Sequence, residues 1–272
     1  MKLPLQYLRK RLANTLLLST FCLLSACADE TANGWVLPDG IAEVSGLAID
    51  AAGQIYLHDD EIGRVYRFDA VTGQVTTVAS LGSPALRGDF EGIALLNDDI
   101  WLITSKGELH LLKQARTLAD AVIDSVAFKT GLKKTCEVEG LDDFKGKLVI
   151  ACKENYKKAD KDAILLFEFD PATGQTSPFL TLSLASLGRK NFSPSALVVT
   201  EDKIYLLGAK QHRLVVVDHD GQLLTDFKLT KQVHPQAEGL AIHQGQIYIA
   251  DEGHGRGGKI TSYAGLTGIS SK

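Results

Sequence analysis

Three glutamates hold equivalent places in this chain. Glu91, Glu139 and Glu238 each stand before Gly-Ile or Gly-Leu at the head of a short apolar run, and Ser45 and Ser195 hold the same place before Gly-Leu and Ala-Leu. Carboxylates gathered at one partly dry site repel one another, and they need a cation, a proton or hydrogen-bond donors. A hard, oxygen-liganded ion such as calcium meets that need. Backbone amides, or lysines such as Lys106, Lys153 and Lys210, meet it equally well, and the glutamates are then structural. The chemistry therefore turns on which elements bring these distant residues together.

The five head residues lie at positions 45, 91, 139, 195 and 238, a period of roughly 50 residues that suits propeller blades or arrays of helical pairs. Each head is followed by a turn and a second apolar run, as in Ile55-Tyr56-Leu57, Ile100-Trp101-Leu102, Leu148-Val149-Ile150, Ile204-Tyr205-Leu206 and Ile247-Tyr248-Ile249. These runs are β-branched and aromatic, and the turns carry Gly, Asp and Asn, so each pair reads as a hairpin. Third runs follow, and Asp69-Ala70-Val71-Thr72-Gly73-Gln74 recurs as Asp170-Pro171-Ala172-Thr173-Gly174-Gln175, with an echo in Asp218-His219-Asp220-Gly221-Gln222. Asp caps the backbone while Gly takes a positive φ, which makes a turn into a fourth strand.

Four antiparallel strands per unit, repeated radially, predict an all-β fold, a β-propeller. Five blades fit the five heads, and six would need units of roughly 40 residues. The last unit lacks a clear fourth strand while Trp35-Val36-Leu37 stands unpaired, so the N-terminal segment is expected to complete that blade and close the ring. Closure removes the exposed edge that invites aggregation. The inner strands would then gather Ser45, Glu91, Glu139, Ser195 and Glu238 at one mouth of a central channel, with Glu91 and Glu139 on adjacent blades and Glu238 across. Ends of the second strands add Asp59, Asp60, Thr104, Lys153, Gly208, Asp251 and Glu252 to the rim.

Other segments carry weaker signals. The charged loop 153–162 reads as a solvated rim loop, and Gly253-His254-Gly255-Arg256-Gly257-Gly258 has the glycines of a phosphate cradle without the helix such cradles use. The 7 histidines are dispersed, with no HExxH pattern, and no G-x-S-x-G elbow occurs.

The start of the chain reads as an export signal. Lys2, Arg9, Lys10 and Arg11 form a basic region, residues 12–24 supply an interrupted apolar stretch, and Leu24-Ser25-Ala26-Cys27 has the form of a lipobox. An ordinary cleaved signal or a membrane-spanning helix are the alternatives. The division expected is a lipoprotein signal over 1–26, a lipidated Cys27 with a short tether over 27–33, and one propeller domain over 34–272. Resemblance to bacterial lipoproteins implies cleavage before Cys27 and acylation there, with Ala28 directing a Gram-negative protein to the outer membrane, facing the periplasm.

Loss of the first 26 residues removes four basic side chains and no acidic one, taking the formal charge from −4 to −8. So acidic a domain is a poor nucleic-acid binder, and its length suffices for a monomer with a full core. Cys136 and Cys152 flank one hairpin turn, almost opposite each other, and in an oxidising compartment they are expected to form a disulfide worth roughly 3 kcal/mol. Two buried thiols are the alternative.

Glu-Val-Ser-Gly-Leu-Ala, Asp-Phe-Glu-Gly-Ile-Ala, Glu-Val-Glu-Gly-Leu-Asp and Ala-Glu-Gly-Leu-Ala, with Phe-Ser-Pro-Ser-Ala-Leu between, follow the lipobox in order. Together they resemble the SdiA-regulated family of bacterial envelope proteins. The resemblance implies fold and location, a lipid-anchored β-propeller of the cell envelope, and the reading favoured for it is binding of a small ligand, a cation or an envelope partner at the channel mouth, without catalysis. A distant resemblance to gluconolactonase, paraoxonase and esterase-like phytase propellers implies the alternative, a calcium-dependent hydrolase of an ester, lactone or phosphoester. On either reading Glu91, Glu139, Glu238, Ser45, Ser195, Asp59 and Asp251 are the candidate ligands. The Asn and Asp metal ligands of those enzymes have no clear match in this chain.

Overall fold

Short runs of β-branched residues, each broken by a polar turn, pair with their sequence neighbours to give small antiparallel sheets. The computed structural model describes residues 33–124, 126–266 and 269. The expected signal, Cys27 and most of its tether lie outside them. No helix among the described residues is long and apolar enough to cross a membrane.

The described chain opens with β1 (Asn33–Val36). Blade 1 is β2 (Val44–Ile49), β3 (Ile55–Asp59), β4 (Arg64–Phe68) and β5 (Val75–Leu81). Blade 2 starts with β6 (Phe90–Leu96), β7 (Asp99–Thr104) and β8 (Glu108–Leu112). The chain then crosses to lay β9 (Ala121–Ile123) parallel to β5, and it returns as β10 (Val126–Lys129), the fourth strand of blade 2. Blade 3 is β11 (Cys136–Phe144), β12 (Lys147–Asn155), β13 (Ala163–Asp170) and β14 (Gln175–Ser183). Blade 4 is β15 (Ala196–Val199), β16 (Ile204–Gly208), β17 (Arg213–Val217) and β18 (Leu223–Lys228). Blade 5 is β19 (Ala237–His243), β20 (Gln246–Asp251) and β21 (Lys259–Tyr263), completed by β1, whose Trp35 lies opposite Ile260.

Inner strands β2, β6, β11, β15 and β19 touch in that order, and β19 returns to β2. The fold is a five-bladed β-propeller. The core is correspondingly divided into five clusters, each filling the wedge between consecutive blades, such as Phe90 and Leu102 against Val65 and Leu81. The predicted turns form as well. Asp69 Oδ1 accepts from the amides of Val71 at 2.8 Å and Thr72 at 3.1 Å, and Asp170 repeats the contact with Ala172 at 2.8 Å.

The disulfide joins Cys136 and Cys152, whose Cα atoms are 5.7 Å apart. The two are not direct partners, as the spacing had suggested. Cys136 faces Asn155 and Cys152 faces Val138, because the hairpin turns at Lys145-Gly146, with Phe144 opposite Lys147, and that register sets the bridge on a diagonal.

The repeated Gly-Leu and Gly-Ile pairs have a packing cause. A Cβ on Gly92 would stand 2.8 Å from Leu141 Cβ and 2.9 Å from the Leu141 amide, and one on Gly239 would stand 3.0 Å from Leu47 Cγ. Each glycine thus receives the Leu of an adjacent blade, which lets the inner strands converge on the axis. Gly92→Ala is expected to destabilise the domain by about 2 kcal/mol, since the clash meets backbone. Urea denaturation measures this, and an unchanged midpoint would show that the inner ring is free to spread.

Candidate functional site

Four of the five head residues sit on β-bulges. The ladder of β2 with β3 steps from Val44 to Gly46, that of β6 with β7 from Phe90 to Gly92, that of β11 with β12 from Val138 to Gly140, and that of β19 with β20 from Ala237 to Gly239. Ser45, Glu91, Glu139 and Glu238 are the extra residues, freed from the ladder and re-aimed by the bulge. These four line a central cavity of about 10 Å³. That is room for a single water or ion and excludes an organic molecule from the channel.

The ring residues have different occupations. Glu139, 1% exposed, accepts from Lys153 Nζ, which also stands 3.6 Å from Glu137. Glu91 accepts from Ser45 Oγ at 3.3 Å. Glu238 is 9% exposed, and its buried Oε2 has no hydrogen-bond partner among the described residues. Ser195 is absorbed by the backbone, donating to the Ala237 carbonyl at 2.7 Å and accepting from the Ala209 amide at 3.1 Å. Asp59 accepts from the Glu61 amide at 3.0 Å and shapes a turn. Asp251 receives His234 Nδ1 at 2.7 Å, and His234 also contacts the Tyr263 hydroxyl through Nε2, so this buried chain locks blade 5.

A second acidic tier sits just above the ring. One carboxylate oxygen each from Glu43, Asp60 and Glu252 lie within 4.8 Å of one another. Asp60 and Glu252 follow the second strands, where the sequence places rim residues, whereas Glu43 carries no repeat signal of its own. The spacing to the head residues finds it: Glu43, Asp89, Glu137, Ser193 and Gln236 each precede a head residue by two positions, a second recurrent polar position at the approach to the inner strands. Gln236 donates to Glu252 through its side-chain amide.

Electrostatics follow from this crowding. Burial first, and then neighbouring carboxylates, push Glu91 up to about 8, Glu252 up to about 8 and Asp60 up to about 6. Glu238 rises to about 7 chiefly through burial, with Asp251 adding and Lys153 opposing. The mouth therefore holds protons near neutral pH that ordinary carboxyls would release. The opposite end of the channel is also acidic: Asp142 is pushed to about 8, mainly by burial and then by Asp143, while it accepts from the Val199 amide at 2.6 Å.

No family model matches the chain, and no curated protein does. Solved structures share its fold. A luciferin-regenerating enzyme superposes with TM-score 0.55 at 11% identity, covering 89% of this chain and 100% of its own. The glutaminyl cyclase of Myxococcus xanthus gives 0.56 at 14% identity, over 85% of this chain and 93% of its own. A PQQ-bound aldose sugar dehydrogenase from Streptomyces coelicolor gives 0.51 at 14% identity, over 86% and 98%. These neighbours are enzymes of unrelated chemistries, so the likeness is one of β-propeller architecture and carries no reaction with it.

Proposed function

We propose that this chain is a lipid-anchored cell-envelope propeller of the SdiA-regulated type that binds a divalent cation, calcium in preference, at its channel mouth without turnover. The observation that carries this reading is the Glu43, Asp60 and Glu252 oxygens within 4.8 Å of one another, beside the unpartnered buried Oε2 of Glu238. Calcium–oxygen contacts of about 2.3–2.6 Å allow two ligands of one ion to lie up to roughly 5 Å apart, so the donor set fits a hard cation. The head residues Glu91 and Glu238 would add negative charge beneath it. Glu139 contributes least, because Lys153 already answers its charge.

Binding is preferred over hydrolysis because the Asn and Asp metal ligands of the calcium-dependent propeller hydrolases have no clear match in this chain, and the described residues offer no serine-based route in their place. Ser195 is tied to backbone, Ser45 is tied to Glu91, and His234 is sequestered between Asp251 and Tyr263. None of these forms a nucleophile with a free base. The second reading, a calcium-dependent hydrolase of an ester, lactone or phosphoester, rests on a cleft of about 320 Å³ that Glu238 shares with Lys153, Lys210 and Lys231. An anionic substrate would fit there beside the ion.

The anchor reading is compatible with this placement. Five residues separate Cys27 from Asn33 at the start of β1, a reach of at most about 20 Å. The outer edge of blade 5 would then lie against the bilayer of a monomeric protein.

Calcium at about 100 times its Kd is expected to raise the melting temperature by roughly 5–10 °C relative to chelator. The double variant Glu43→Gln, Glu252→Gln should lose that rise. Absence of any calcium shift in the unaltered protein removes the cation reading. Ester, lactone or phosphoester turnover that depends on calcium would transfer the case to the hydrolase.

A further inference from the structure

A cavity of about 480 Å³ lies over blade 2, on the face that carries the mouth but outward from it. None of Glu43, Glu91, Glu238 or Glu252 lines it. Four cations do: Arg87 on the link between blades 1 and 2, Lys106 in the turn between β7 and β8, Lys129 at the end of β10, and Lys133 in a short 3₁₀ turn (Leu132–Lys134). Phe90 and Ser105 are buried at its floor.

The charges in this cleft do not cancel. Arg87 pairs with Glu61 at 3.0 Å, in a bridge that is largely exposed. Lys106, Lys129 and Lys133 form no ion pair among the described residues. Of the two lining carboxylates, Asp89 accepts from Ser105 Oγ, and Glu108 stands 3.6 Å from His110 rather than bridging to Lys129, its partner across the ladder. Three like charges from three separate segments thus surround one cavity in a chain whose formal charge is −4. The cavity volume falls in the range of small-molecule sites.

We infer that this cleft is an anion site for a compound bearing a phosphate monoester or diphosphate group. A tetrahedral dianion offers several oxygens to ammonium groups arriving from different directions, which a single carboxylate does not. The exposed side chain of Leu86, which also lines the cavity, would receive the organic part. The group can reach the cleft on a soluble compound or on a lipid headgroup, and the chemistry of recognition is the same. This site does not depend on a cation at the mouth.

The test titrates the full mature chain with pyrophosphate and with glycerol 3-phosphate by calorimetry, and sediments it with vesicles containing phosphatidic acid. Saturable binding is expected, weakened at least tenfold in the triple variant Lys106→Gln, Lys129→Gln, Lys133→Gln. Lys145→Gln, Lys190→Gln, away from both clefts, should bind as the unaltered protein does. All five lysines are exposed, and equal melting temperatures would establish that the variants fold. Lysine-dependent binding of the soluble probes supports a free phosphate compound, and lysine-dependent binding of vesicles alone supports a headgroup. No saturable binding of either probe or vesicle overturns the inference. So does a triple variant that binds normally, or equal weakening in both variants, which would reveal only bulk charge.

Discussion

Replacing Lys153 by methionine is expected to destabilise the domain by about 3 kcal/mol, because it strands a buried carboxylate without its counter-charge. Glu139 is 1% exposed and receives the Lys153 ammonium, whose side chain is itself only 21% exposed. Lys153 also draws down the proton affinities of Glu91 and Glu238, so its loss spreads across the mouth. The double variant Glu139→Gln, Lys153→Met removes both charges and should recover most of the stability, as paired replacements of buried ions commonly do. Chemical denaturation of the four proteins closes the cycle. A Lys153→Met protein as stable as the parent would mean that Glu139 is neutral or solvated and that the pair has no structural weight.

The second large effect is a dependence of stability on pH that calcium should suppress. Glu91, Glu238 and Glu252 are raised from 4.5 to about 8, about 7 and about 8. In that window the folded chain holds protons that the unfolded chain has released. Stability rises with pH only where the unfolded state binds more protons, so here it falls as pH climbs from about 4.5 to about 8, and this contribution is fully present below 4.5. The melting temperature in chelator is expected to drop by roughly 5 °C or more between pH 5 and pH 8. A bound cation replaces those protons, so saturating calcium should flatten the profile, and calcium affinity should increase from pH 6 to pH 8. Melting curves at several pH values, with calcium and with chelator, read both effects. A melting temperature that rises with pH in chelator would contradict the burial of these carboxyls.

Much of the fold was legible because its signals are local. Alternating apolar runs and Asp-x-x-Thr-Gly turns specify strands and hairpins within each unit, and the recurrence of the heads counts the blades. The unpaired Trp35-Val36 predicted ring closure for the same reason: a three-stranded last unit leaves an edge, and β1 covers it. The parallel strand β9 was not legible. Ala121–Ile123 is short, and its partner β5 belongs to the preceding blade, so no local pattern announces the pairing.

The sequence by itself determined a propeller with acidic residues at the heads of its inner strands, because a period of repeat and a period of two within strands decide which side chains share a side. The tertiary structure alone decided what those residues do. Bulges aim Ser45, Glu91, Glu139 and Glu238 into a channel wide enough for one ion, Lys153 selects Glu139, and the backbone claims Ser195. Glu43 reaches Asp60 and Glu252 only because β2 and β20 are neighbours across the closed ring. Periodicity fixes a direction, but ion pairing and coordination are settled over a few ångströms, and that distance is set by how the blades pack.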